Sequence, residues 1–73
     1  MAIIRKGMWA VSSGKVGIVA ELRDTVEFHE VISTGETKEV HYLPYGAIAQ
    51  APYLDIPESR RPTEDVARTL GYL

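Results

Sequence analysis

Alternation of apolar and polar residues dominates the chain up to about residue 51 and predicts β-strands. Four runs show it, namely "MWAVS", "KVGIVAEL", "TVEFHEVI" and "ETKEVHYL", and Ser12-Ser13-Gly14, Asp24 and Ser33-Thr34-Gly35 lie at the reversals between them. Pro44 cannot donate a ladder hydrogen bond and should end the fourth strand, while "AIAQA" is long enough for a fifth. Five short strands with tight connections predict an all-β (mainly β) fold, either a small antiparallel barrel or a strongly bent sheet.

The chain from residue 52 onward has a different pattern, because three of its four prolines lie there. Asp55 and Glu58 have capping-box spacing, which predicts a single helical turn with Pro57 in its first turn. We therefore predict a barrel over residues 1–51 and a C-terminal extension over residues 52–73, packed on the barrel or partly disordered.

A short helix is predicted within "PTEDVARTLGYL". Thr63 is the expected N-cap, and Gly71 is the expected stop. A helix this short is marginal alone and should dock on the barrel or fray. Its expected apolar face comprises Val66, Ala67, Leu70 and Leu73.

The stretch "KGMWAVSSGKVGIVAEL" resembles the KOW-type strand–turn–strand of SH3-like small β-barrels. The matching residues are Gly7, Trp9, Val11, Gly14, Lys15, Gly17, Val19 and Leu22. The resemblance implies a five-stranded SH3-like antiparallel barrel that binds RNA or other proteins. In physical terms, Gly14 permits the turn, and Gly17 lets the second strand coil sharply.

A second resemblance lies in "LPYGAIAQAPYLDIPESRRP", which is similar to the ends of small uncharacterised proteins encoded in bacterial prophages. This resemblance implies a phage-derived accessory or structural protein with no assigned activity.

Cysteine is absent, so neither a disulfide nor a thiolate metal site can stabilise the fold. The start "MAIIRKG" has too short an apolar run for a signal peptide. No stretch approaches the roughly 20 apolar residues of a membrane span. We therefore expect a soluble cytoplasmic protein, in the host cell cytoplasm if it is phage-derived.

Charge is unevenly distributed along the chain. Residues 1–23 carry a net charge of +3, residues 24–51 carry −4 and residues 52–73 carry −1. An acidic middle segment repels phosphate and disfavours nucleic acid as a partner. Only the basic N-terminal third could serve a nucleic-acid-binding KOW-like regulator, which is the alternative function.

Both histidines lie in "VEFHEVISTGETKEVHY", around Gly35. A three-residue loop with Gly35 in the left-handed conformation fits this hairpin better than a two-residue loop, which would set Glu30 opposite Glu39. The predicted cross-strand pairs are Phe28 with Val40, Val26 with Tyr42, Glu30 with Lys38, Glu27 with His41 and His29 with Glu39.

This register places His29, His41, Glu27 and Glu39 together on one face. Two imidazoles and two carboxylates can bind a divalent metal or transfer protons. They can equally form a solvated face on which each histidine has an acidic neighbour. The sequence favours the solvated face, because one hairpin supplies no second shell for a metal.

Catalytic motifs are missing from the sequence, including a Ser-His-Asp order at an elbow and a phosphate loop. We therefore predict no enzyme and no cofactor, but a binding or assembly module that contacts another protein or itself. Trp9 is expected in the core. Exposed aromatic side chains and edge-strand pairing are the expected means of contact. The candidate partner-binding residues are Lys15, Tyr45, Tyr53, Arg60 and Arg61.

Overall fold

Five antiparallel strands form one sheet in the computed structural model, which describes residues 4–73. The strands are β1 (Trp9–Ser12), β2 (Lys15–Leu22), β3 (Val26–Val31), β4 (Thr37–Leu43) and β5 (Ala49–Gln50). Their order is β4-β3-β2-β1-β5, so β4 and β5 are the outer strands. The mainly β prediction is confirmed. Residues 1–3 of the expected N-terminal domain, and the apolar start used to argue against a signal peptide, lie outside the described residues.

The first hairpin depends on two residues with positive φ. Ser12 pairs with Lys15, leaving Ser13 and Gly14 as a two-residue loop with φ values of 49° and 78°. Positive φ at both positions gives a turn whose twist matches that of the flanking strands. The predicted turn is therefore present, and it starts β2 at the expected residue.

Gly17 lies where β2 and β3 approach each other closely. A Cβ atom placed on Gly17 would lie 2.3 Å from the His29 carbonyl oxygen and 2.9 Å from the end of the Phe28 ring. Only glycine therefore leaves room at this position for Phe28, which is fully buried.

Apolar clusters cover both faces of the sheet. One cluster comprises Met8, Ala10, Val19, Val26, Phe28 and Ile48. The other comprises Trp9, Val31, Ala51 and Ile56. The predicted burial of Trp9 is confirmed, but strand alternation puts it on the face opposite Phe28.

The segment after β5 covers the Trp9 face. The Arg60 guanidinium lies 5.3 Å from the centre of the Trp9 ring and donates a hydrogen bond to the Gly35 carbonyl oxygen at 3.2 Å. Arg61 stacks in the same way on Tyr53, whose hydroxyl donates to the Pro62 carbonyl oxygen at 2.6 Å. The extension is thereby attached to both the sheet and the β3–β4 turn.

The single turn predicted around Pro57 is wrong. Two separate 3-10 turns, Tyr53–Asp55 and Glu58–Arg60, lie on either side of Ile56 and Pro57. Neither turn has a side-chain cap. Ile56 is extended, with ψ of 132°, because a following proline disfavours the helical conformation.

A short helix, α1 (Glu64–Thr69), is the last element of the described fold. A third 3-10 turn, Tyr45–Ala47, lies between β4 and β5. The predicted Thr63 cap is confirmed, since its side chain accepts a hydrogen bond from Val66 N–H, and Gly71 is left-handed with φ of 88°. In residues 4–73 no helix is long and apolar enough to span a bilayer.

The predicted apolar face of α1 is largely wrong, because only Ala67 is buried. Val66, Leu70 and Leu73 are exposed. The chain leaves the helix at Leu70 and turns at Gly71, which brings Tyr72 to the sheet instead. The Tyr72 hydroxyl accepts a hydrogen bond from Trp9 N–H at 2.7 Å. It thereby satisfies a β1 backbone donor next to the residues that pair with the short β5.

Substituting Gly17→Ala should lower the free energy of unfolding by about 2–3 kcal/mol, because the new methyl group meets backbone and ring atoms that cannot both retreat. Urea denaturation followed by circular dichroism measures this change. Gly46→Ala is the matched control, since nothing lies within 4 Å of its added Cβ and its φ is not positive. Equal stabilities of the two variants would contradict the proposed packing.

Replacing Arg60→Ala should shift the emission of Trp9, the sole tryptophan, to longer wavelength and cost about 1 kcal/mol of stability. The cause is loss of the guanidinium that covers the ring. Arg68→Ala is the control, because Arg68 is exposed and contacts only Asp65, at 3.6 Å. An unchanged emission spectrum for the Arg60 variant would show that Trp9 is covered without it.

Candidate functional site

The turn of the histidine hairpin has the predicted form. Ile32 N–H donates to the Glu36 carbonyl oxygen at 3.0 Å, and Gly35 N–H donates to the Ile32 carbonyl oxygen at 2.8 Å. Gly35 is left-handed, with φ of 92°. These contacts define a three-residue loop with a glycine bulge, and Val31 pairs with Thr37 as that loop requires.

The predicted register fails beyond this turn. A second bulge lies between Glu30 and Val31, where Lys38 is an extra residue on β4. The observed pairs are Glu30 with Glu39, His29 with Val40, Phe28 with His41, Glu27 with Tyr42 and Val26 with Leu43. The Glu30–Glu39 pair, whose like charges counted against this register, is present, and His41 lies beside both carboxylates.

The bulge places the two histidines on opposite faces of the sheet, so the four-residue cluster expected from the sequence does not form. His29 Nε2 lies 2.8 Å from a Glu27 carboxylate oxygen on one face. On the other face, His41 Nε2 lies 2.9 Å from Glu30 and 3.6 Å from Glu39.

Glu30 is the residue that the sequence reasoning missed. It shares the strand phase of Val26 and Phe28, and it is buried with them. A carboxylate on an apolar face needs a hydrogen-bond donor, and His41 supplies it. Two features of the sequence could have indicated this pair. Position 30 alternates with Val26 and Phe28 onto the apolar face, and His41 follows eleven positions later across the turn.

His41 lowers the pKa of Glu30 below its ordinary value of 4.5, chiefly through this hydrogen bond, while Lys38 and Lys15 contribute smaller Coulombic effects and burial opposes them. The His41 ring is tilted by 42° over Phe28, with 6.2 Å between ring centres. His41 therefore covers one edge of the Phe28 cluster and also supplies the hydrogen bond that Glu30 needs.

Glu30, Glu39 and His41 are also a potential metal-ligand set, because one ligand atom from each lies within 4.8 Å of the others. Two observations favour a structural role instead. His41 already satisfies Glu30, and two ammonium groups act on the same carboxylate. A zinc titration that shifted the His41 ring resonances at micromolar metal would assign the cluster to metal binding.

The structure gives internal contacts to four of the five predicted partner-binding residues. Tyr53, Arg60 and Arg61 hold the C-terminal segment in place. The Tyr45 hydroxyl donates to the Arg23 carbonyl oxygen. Lys15 is exposed at the start of β2. Lys15 and Arg61 line one groove, and Tyr42 is the tyrosine with the largest exposed fraction, 67%.

A groove of about 570 Å³ lies between the start of β2, the end of β3 and the 3-10 segment at residues 54–58. Its apolar lining comprises Val16, Val31, Ile32, Leu54 and Ile56. Its charged lining mixes both signs, with the basic residues Lys15 and Arg61 and the acidic residues Glu30, Asp55 and Glu58.

The open side of β4 is the other candidate surface, and backbone hydrogen bonding shows which residues face it. Val19 N–H donates to the Met8 carbonyl oxygen at 2.9 Å, and the Val19 carbonyl accepts from Gly7 N–H at 2.7 Å. Both backbone groups of Val19 therefore point away from Phe28, its partner on β3.

In an antiparallel sheet, successive residues of a strand direct their backbone N–H and C=O groups to alternate sides, so the direction found for Val19 determines the directions along β4. Phe28 must direct its own backbone groups to its other partner, His41. The neighbours of His41, Val40 and Tyr42, then direct their N–H and C=O groups away from the sheet. Both side chains are exposed as well, and we call this surface, Lys38 to Tyr42, the β4 edge.

No family model, curated protein or solved structure matches this chain.

Glu30→Gln should flatten the acid side of the stability–pH curve. Because the folded-state pKa of Glu30 is lowered, its stabilisation is present above pH 4.5 and is lost as the pH falls through the folded pKa. The variant should be less stable than the parent near pH 7, and the two should converge below pH 4.5.

Denaturant unfolding at a series of pH values measures this convergence. Glu36→Gln is the control, since Glu36 is exposed on the same hairpin and should leave the curve unchanged. Parallel curves for the parent and the Glu30 variant would contradict the assigned role of the Glu30–His41 pair.

Proposed function

We propose that the protein is a non-catalytic binding module that contacts another protein by accepting an extended strand on the β4 edge. The observation that carries this proposal is the outward direction of the Val40 and Tyr42 backbone groups beside two exposed side chains. Strand addition satisfies such groups, and alternate side chains of the added strand set specificity.

Features that usually protect an edge strand from pairing lie at both ends of the β4 edge and do not cover it. The bulge at Lys38 lies at one end, and Pro44 lies just beyond the other. Bulges, prolines and charges all discourage unwanted pairing. Between them the edge is regular, which supports controlled pairing with a partner.

The sequence resemblances give this proposal a context. An SH3-like arrangement of the five strands is supported by the pairing of β5 with β1 and by the bulge after Val19 in β2. The prophage resemblance supports a role in assembly. The lack of cysteine is compatible with a reducing cytoplasm, which we propose as the location.

The alternative function, nucleic-acid binding, receives less support from the placement of the basic residues. Lys6 contacts Glu21 at 3.0 Å, and Arg5 donates to the Leu70 carbonyl oxygen at 3.0 Å. Lys15 lies at the other end of the β1–β2 hairpin. The basic side chains of the N-terminal third therefore do not form one continuous patch.

Short labelled peptides that favour the extended conformation test the proposal. One peptide alternates valine with lysine and the other valine with glutamate. We expect the lysine peptide to bind more tightly, because Glu39 and Glu36 lie along β4 or its turn, and to slow hydrogen exchange at the Val40 and Tyr42 amides. Val40→Lys should weaken binding at least about tenfold, or about 1.4 kcal/mol.

Val66→Lys is the matched control, since Val66 is an exposed valine that lies on α1 and not on β4. Failure of both peptides to protect the two amides would overturn the proposal. Binding of a single-stranded RNA at low salt that falls steeply with added salt would support the alternative instead.

A further inference from the structure

We infer that the strand added to the β4 edge is the β4 of a second copy of this chain, paired antiparallel about Val40. This inference rests on the proposed function and names the partner. Its basis is that the edge is complementary to itself in hydrogen bonding, in charge and in apolar contact. A two-fold axis requires such self-complementarity.

Hydrogen bonding permits this pairing at Val40. Because Val40 directs its N–H and C=O outward, two copies related by a two-fold axis exchange both hydrogen bonds at that residue. Tyr42 also directs its backbone groups outward. Val40 is the middle residue of Thr37–Leu43, so this register also gives the longest overlap.

Side-chain contacts favour the same register. On one face, Glu39 lies opposite His41 of the second copy, and His41 lies opposite Glu39 of the second copy. On the other face the two exposed Val40 side chains meet. Tyr42 lies diagonal to Val40 of the second copy on this face, within reach of an aromatic side chain.

The neighbouring registers are poorer. Outward residues must pair with outward residues, so the next arrangement sets Val40 opposite Tyr42 of the second copy. That arrangement brings the two His41 rings together and leaves Glu39 opposite Leu43. The register about Val40 instead sets each His41 opposite Glu39 of the second copy, a polar cross-strand pair that favours this register.

The acidic excess of the hairpin acts against this dimer at long range, since residues 24–51 carry a net charge of −4. Salt screens charges separated by more than about 10 Å at 0.1 M ionic strength. The close contacts between Glu39 and His41 are screened much less. Self-association should therefore strengthen as salt is added, which distinguishes it from the salt-sensitive binding of a basic peptide.

Sedimentation equilibrium of the full chain over a range of concentrations is the first test. We expect a monomer–dimer equilibrium and slower hydrogen exchange at Val40 and Tyr42 as concentration rises. Val40→Lys should raise the dimer dissociation constant at least about tenfold, while Val66→Lys on α1 leaves it unchanged. Circular dichroism confirms that each variant is folded.

Opposite charges at position 40 test the register. Val40→Lys alone and Val40→Glu alone should not dimerise, because in each variant two like charges meet at the two-fold axis. An equimolar mixture of the two variants should form a heterodimer, since Glu and Lys then face each other across the axis.

Each outcome decides the inference. A parent chain that stays monomeric at every concentration and salt, or a dimer that survives Val40→Lys, overturns it. Failure of the mixed variants to associate also overturns the stated register. If the parent stays monomeric but the lysine peptide still protects Val40 and Tyr42, only this inference fails and the proposed function stands.

Discussion

The contact between the Phe28 ring and Gly17 is the constraint on which the rest of the structure depends. Phe28 is the largest fully buried side chain, and it reaches the cluster on its face only because β2 has no side chain at Gly17. This contact fixes the phase of β3. Once Phe28 points to one face, Glu30 must follow it and His29 must point to the other.

The phase of β3 in turn determines the character of β4. A glutamate held on the Phe28 face requires a donor, and the bulge at Lys38 shifts β4 by one residue so that His41 supplies it. The same shift turns Val40 and Tyr42 to the opposite face. A polar requirement inside the hairpin thus leaves two apolar side chains exposed on its outer strand.

Local chemistry made much of this fold predictable, and long-range packing accounts for the failures. Gly14, Gly35, Thr63 and Gly71 act through their own backbone or the next turn, and each has its predicted role. The register of β4 was missed because it is set by the burial of Glu30, which no pairwise charge rule contains. The contact of Arg60 with Trp9 joins residues far apart in sequence, so only the folded chain brings them together.

An edge strand that carries a lysine is normally read as protected from pairing. At the β4 edge that lysine lies in the bulge at one end, so it limits how far pairing can extend and leaves the residues around Val40 free to pair. In the proposed dimer, a strand from an unrelated protein would meet Glu39 and His41 in a fixed order and would need to match both. Repulsion of wrong partners and attraction of the right one can therefore reside in the same side chains.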